Sequence, residues 1–243
     1  MPPPPRQAGL VWTRPAPTRR DRTALSRDRI VRAAIALADA HGFAAISMRR
    51  LAAELDAGTM SLYRHVQDKD ELADLMVDEV YAAMVPPEAA SSRWAENVRA
   101  IARRTRLVML EHPWFTTLAI TRPPIGPNAL AYLDSSLSAV RGAGLELPEA
   151  SRLLGTVTSF VIGVVAAELA DSEPRDQAGA GGPAWQETVA PYMRDMMATG
   201  RFPSLAQLIT QDHDDEDPDD QFEFGLDCLI AGIAARTGRD TRP

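Results

Sequence analysis

One cysteine, Cys228, in a chain of 243 residues leaves no disulfide framework and no cysteine-based zinc site to build. Lysine is as scarce: Lys69 stands alone against 25 arginines, so an abundance of arginine is by itself weak evidence of a role. The four histidines, at 41, 65, 112 and 213, are scattered rather than set at metal-ligand spacing, and neither a Gly-x-Ser-x-Gly elbow nor a phosphate loop occurs. The acidic run "DHDDEDPDD" lacks the glycine and closing glutamate of a calcium loop and reads as solvated. No enzyme, metal or cofactor is therefore expected. The chain also lacks the opening succession of a signal peptide, which points to the cytoplasm. No segment alternates with period two, which argues against a sheet. The most apolar stretch, Leu153 to Ala170, contains Thr156, Thr158 and Ser159 and is interrupted by Gly155 and Gly163, so it is expected as a helix buried in a bundle, with no membrane contact.

What is present is enough apolar residue, 45%, to form a core, and a charge split that the net value of -7 conceals. Residues 1–70 carry 12 Lys+Arg against 7 Asp+Glu, and the remainder 14 against 26, giving +5 and -12. The basic end is the candidate for a polyanion. Residues 1–25, with six prolines in the first seventeen positions and Arg14, Arg19, Arg20 and Arg22, read as a disordered arm, either idle or a minor-groove contact. Ser26 then caps a helix that Gly42 stops, Ser47 caps a short one ended by Asp56, Ala57 and Gly58, and Thr59 starts a third. A linking helix over 71–86 begins near Lys69 and stops at two prolines. Helical periods follow at Ser92–Glu111, Trp114–Ile120, Pro127–Gly142, Pro148–Asp171, Ala184–Thr199 and Asp219–Arg236, with a flexible Gly/Pro loop at 172–183. The expectation is an all-α chain: a helix-turn-helix domain at 26–70 and a larger bundle at 87–243. Trp94, His112, Trp114, Phe115, Phe160, Trp185 and Tyr192 are read mainly as core residues, and Cys228 as buried and inert.

Two short helices joined by a turn of three or four residues have the dimensions of a helix-turn-helix, whose second helix enters the major groove. Packing of Leu62 and Val66 inward leaves Thr59, Met60, Ser61, Tyr63, Arg64 and His65 outside. Arg49, Thr59 and Arg64 have donors that read bases, while Tyr, His and Ser side chains reach phosphate oxygens. Lys69 stands where the free amides of a helix start also favour phosphate. The competing reading, a small-molecule-binding or scaffold protein that uses the motif for protein contacts, has the charge split against it.

The stretch "RIVRAAIALADAHGFAAISMRRLAAELDAGTMSLYRHVQDKDELADLMVDEV", and its "LY-HV--K--L" frame above all, resembles the DNA-binding domain of TetR-family transcriptional regulators. Further on, "EHPWFTTLAITRPP", "SFVIGVVAAE" and "DDQFEFGLDCLIAGIA" are similar in layout to the bundle of the tetracycline-repressor branch. The resemblance implies a homodimer joined through the bundle's last two long helices, a double-stranded operator as partner, and repression relieved by a small molecule. Carried over by position, Arg49, Thr59, Met60, Ser61 and Arg64 face bases, and Ser47, Tyr63, His65 and Lys69 face phosphates. The implied pocket gathers Trp114, Phe115, Leu118, Thr121, Phe160, Val164, Ala167 and Glu168, suited to an apolar or aromatic compound. Leu118 and Ala167 stand where the tetracycline repressor has a metal-binding histidine and glutamate, so a magnesium–tetracycline chelate is not the expected ligand, unless Glu168, one residue on, takes the glutamate's place. Asp56 stands where the family's turn has glycine, and it tolerates a left-handed backbone.

Overall fold

The structure is a computed structural model describing residues 10–13, 25–86, 93–141, 145–172, 183–210 and 217–238. Every regular element among them is helical. Most of the proline-rich arm, residues 173–182 of the flexible loop and most of the acidic run lie outside the described residues, as does the side chain of Trp185.

Three helices form the N-terminal head. α1 (Arg27–His41) starts where Ser26 Oγ accepts the Arg29 N–H at 3.2 Å and ends at Gly42, whose φ of 75° is open to glycine at little cost. α2 (Met48–Glu54) is capped in the same way by Ser47 Oγ and the Arg50 N–H, and α3 is the single stub Thr59–Tyr63. Ile30, Ala34, Leu51, Leu62 and Val66 are buried together, so each short helix is held by the others' apolar faces. α4 (Lys69–Met84), capped by Asp68 through the Glu71 N–H at 2.7 Å, belongs to both halves of the molecule: it packs on α1 and on the bundle.

The bundle comprises α5 (Trp94–Glu111), α6 (Pro113–Thr121), α7 (Pro127–Arg141), α8 (Leu147–Ser172), α9 (Pro183–Ala198), α10 (Pro203–Thr210) and α11 (Pro218–Thr237). Its centre is α5, which meets α4, α6, α7, α8 and α11. α5 and α11 run antiparallel, and a ladder fixes their register: Arg99 to Asp227 at 2.6 Å, Arg103 to Glu223 at 2.6 and 2.8 Å, and Arg106 to Asp219 at 2.6 Å. Most rungs are exposed, which makes them worth little individually, and they act by excluding other registers. α8 is long and apolar enough to cross a membrane by composition; it packs on α5, α6, α7 and α11, but with only 22% of its apolar window buried, so it is not the wholly buried helix expected.

Four further expectations need correction. Residues 10–13, read as part of a disordered arm, form a packed turn with Val11 only 5% exposed, because "LVW" supplies an apolar anchor amid the prolines. Cys228 is exposed, not buried, since it lies on the face of α11 turned away from α5. Tyr192 is 60% exposed rather than core. α10 has no counterpart among the expected helices.

Candidate nucleic-acid interface

The turn between α2 and α3 closes as a Schellman motif: the Ala57 N–H donates to Ala52 O at 2.9 Å and the Asp56 N–H to Ala53 O at 3.2 Å. This requires a left-handed residue, and Asp56 supplies it at φ 49°, the one described non-glycine with positive φ. Gly58, at φ -70°, is needed neither for strain nor for space. The turn therefore does not depend on glycine at Asp56.

That geometry presents one side of α2 and α3 to solvent. Arg49, Arg50, Tyr63 and Arg64 are exposed, and so is the apolar Met60, at 76%. Arg49, Arg50 and Arg64 form no ion pair among the described residues; Arg64 reaches only Ser61 Oγ, at 3.1 Å. Thr59 and Ser61 are half-buried between them. Ser47 is exposed, and its oxygen accepts the cap bond while its hydroxyl hydrogen stays available. Lys69 is anchored differently: its ammonium donates to Phe43 O at 3.2 Å and lies 4.6 Å from the Phe43 ring centroid, joining α4 to the turn between α1 and α2. His65 is half-buried with Nδ1 enclosed and unbonded. Burial, then Arg27, then Arg64 hold its pKa below the ordinary value, so the ring is neutral at pH 7.

The eight bundle residues stand on α6 and α8 and differ in their burial and partners. Trp114 is buried, and its indole N–H donates to Asp39 of α1 at 2.6 Å, beside the His112–Asp39 contact at 2.8 Å. Phe115 is fully buried, edge-on to Tyr81 at 5.3 Å. Phe160 stacks on Phe222 at 5.7 Å. Both Glu168 oxygens accept from Arg106, at 2.8 and 3.0 Å. Leu118 and Val164 are half-buried, and Ala167 and Thr121 exposed.

The sequence reading missed a polar knot inside the bundle. Tyr132 OH lies 3.2 Å from Thr105 Oγ1, and the Tyr132 ring is 5.5 Å from Tyr81. Burial, with Tyr132 and Asp78 adding to it, pushes the Tyr81 phenol up to about 12; burial also raises Tyr132, so both phenols stay neutral. Thr116 Oγ1 is buried nearby in sequence to Phe115 and bonds nothing. Helical periodicity marks all of these as inward-facing but does not separate pocket from core.

The head is fixed to the bundle at both ends of α6. Asp39 holds His112 and Trp114 at its start. At its end Arg122 donates to Asp70 O at 3.0 Å, to Asp70 Oδ1 at 3.1 Å and to Asp74.

Comparison with known proteins agrees with this arrangement. Residues 30–76 match the model for bacterial regulatory proteins of the tetR family, and residues 86–237 match that for the tetracyclin repressor-like C-terminal domain. The chain is 35% identical over 227 residues to the HTH-type transcriptional repressor DrrR1 of Streptomyces coeruleorubidus, covering 92% of this chain and 83% of that protein. It is 36% identical over 230 residues to an HTH-type transcriptional regulator of Saccharopolyspora erythraea, covering 95% and 93%. Among solved structures, ActR of Streptomyces coelicolor in complex with actinorhodin superposes with a TM-score of 0.72 at 34% identity, over 89% of this chain and 100% of that one. The chain thus belongs to the tetR family of bacterial regulatory proteins, as a DNA-binding transcriptional regulator.

Proposed function

We propose that two copies of this chain place α3 in successive major grooves of a pseudo-palindromic operator, with Arg49, Thr59, Met60, Ser61 and Arg64 towards bases. Ser47, Tyr63 and His65 meet phosphates; Lys69 adds positive charge at the same edge from its seat on Phe43. The observation that carries this reading is the exposed face of Arg49, Arg50, Met60, Tyr63 and Arg64, whose arginines no carboxylate neutralises among the described residues. Meeting an operator in the cell, such a protein works in the cytoplasm.

The effector is a small organic molecule received in the bundle; the similar ActR forms a complex with one such molecule, actinorhodin. Phe115, Tyr81 and Tyr132 offer aromatic walls. Tyr132, Thr105 and the unbonded Thr116 hydroxyl offer polar contacts that a ligand would complete. Release follows because the ligand favours a bundle conformation whose heads no longer match the operator spacing; it must bind the two conformations with different affinity to do so. Contact between the head and both ends of α6 is the route by which a shift of α6 reaches the head.

The test is selection of genomic fragments on the purified protein, followed by mobility shifts of the recovered fragment with a panel of aromatic metabolites and antibiotics. A palindromic site, released by a compound, is the expected result. No enriched site at low salt would overturn the operator reading and return the scaffold one.

A further inference from the structure

Residues 10–13 have no part in the motif or the bundle, and yet they are held in place. The Thr13 N–H and hydroxyl both donate to Leu10 O, at 2.9 and 2.7 Å, which closes a turn with Val11 buried beneath it and Trp12 half-buried. This turn lies where α4 meets the corner between α6 and α7. There Asp78, a buried residue of α4, accepts the Ala129 N–H from the first turn of α7 at 2.9 Å. The indole N–H of Trp12 is enclosed beside that carboxylate without a hydrogen bond of ordinary geometry.

Gly126 makes the junction possible. A Cβ there would overlap the Asp78 carboxylate and come within 2.8 Å of the Trp12 ring. Leu10 and Trp12 also form one wall of a cavity of about 470 Å³, with Asp70, Asp74, Arg122 and Ile125 opposite. Among the polar ties between head and bundle at α6, the pairs of Arg122 with Asp70 and Asp74 are partly exposed ion pairs, which solvent and salt weaken. The insertion of Val11 and Trp12 is apolar and free of that weakness.

We propose that Leu10–Thr13 is a strap that holds α4 against the α6–α7 corner and thereby sets where the DNA-binding head sits on the bundle. Its regulatory meaning rests on the regulator reading above; its mechanical role does not. A ligand that moves α6 has to work against the strap, so the strap narrows the range of head positions available without ligand.

The test uses the full chain without DNA or ligand. In Trp12→Ser, amide exchange of residues 70–80 and 126–132 is expected to rise about tenfold or more while α5 and α8 stay unchanged, a local rather than global opening. Trp12→Phe is expected to restore most of the protection. Gly126→Ala, which attacks the junction from the opposite side, is expected to loosen the same peptides. A nitroxide on Arg50→Cys, in a Cys228→Ser background, reads the separation of the two heads, which broadens when the strap is lost. Unchanged exchange in Trp12→Ser overturns the proposal, and so does a loosened corner with the same narrow head separation. Absence of a dipolar signal would count against the dimer and leave the exchange result to decide the strap alone.

Discussion

His65 follows α3 with a ring nitrogen enclosed and unbonded, and the charges that face it, Arg27 from α1 and its neighbour Arg64, are both positive. With burial they keep the ring neutral. A phosphate brought against it reverses the balance and raises its pKa, so the complex holds more protons than the free protein. Operator affinity is therefore expected to tighten as pH falls through the neutral range, by roughly two- to tenfold between about pH 8 and 6. Fluorescence anisotropy against pH checks this, and His65→Gln should flatten the dependence. Asp78 is a second residue with a readable sign. Burial raises its carboxyl pKa, opposed by the Ala129 and Asn128 amides and Trp12, so its contribution to stability is fully present below the unfolded value and is lost as pH rises through the folded one. Asp78→Asn should gain on the wild type in thermal melts as pH rises from about 4 to 7, because the amide carries no buried charge. Asp78→Ala should lose about 1–3 kcal/mol at any pH, since it leaves the buried Ala129 N–H without an acceptor. Neither group's environment can be read from the sequence, because the neighbours that set it come from α1, α7 and the strap.

At the scale of elements, the helix-turn-helix was legible because its signals are local. Ser26 and Ser47 cap α1 and α2 where the serines stand before apolar periods, and Asp56 takes the left-handed position that its short polar side chain tolerates. A β-branched residue does not tolerate it. Asp56→Val is expected to cost about 1–2 kcal/mol in denaturant unfolding and to weaken operator binding beyond that loss, whereas Asp56→Gly keeps the turn. Equal stability of the valine variant would mean that the turn rearranges. α10 escaped notice for a physical reason. Leu205, Leu208 and Ile209 do recur at helical spacing, but over only eight residues, two turns, that is too short a run to stand out as a helix. The packed turn at 10–13 was hidden by the prolines and arginines on either side. The α5–α11 ladder was in the sequence throughout, as Arg99, Arg103 and Arg106 against Asp219, Glu223 and Asp227, but pairing two helices separated by more than a hundred residues needs the fold.

On the scale of the whole molecule, the protomer leaves apolar surface that a lone soluble chain would not keep. Only 22% of the apolar window of α8 is buried. Its outward face carries Gly155, Ser159, Gly163, Ala166 and Ala167, small residues that admit close approach of another helix. On α11, Phe224 is 72% exposed, in line with exposed Cys228, Ala231 and Ala235. Beside them, Cys228, Gly232 and Arg236 of α11 and Leu145, Arg152 and Thr156 around the start of α8 border a cavity of about 580 Å³ that opens to solvent in the protomer. A second copy laid across α8 and α11 would cover this surface, and a stable two-fold contact of that kind buries on the order of 1,200–2,000 Å² or more. The sequence alone read Cys228 as core because an apolar helix face looks the same whether its own chain or a partner covers it. Phe224→Glu should therefore shift the protein from dimer to monomer in sedimentation velocity, since a carboxylate at a two-fold contact meets apolar surface without a partner for its charge. The Cys228 thiol should react slowly with a thiol reagent in the wild type and quickly in the variant, provided its burial comes from the partner. Operator affinity should collapse along with the dimer, because a single head keeps only half of the phosphate and base contacts; a monomeric Phe224→Glu protein that still binds the whole operator tightly would show that the two heads do not act as one ligand.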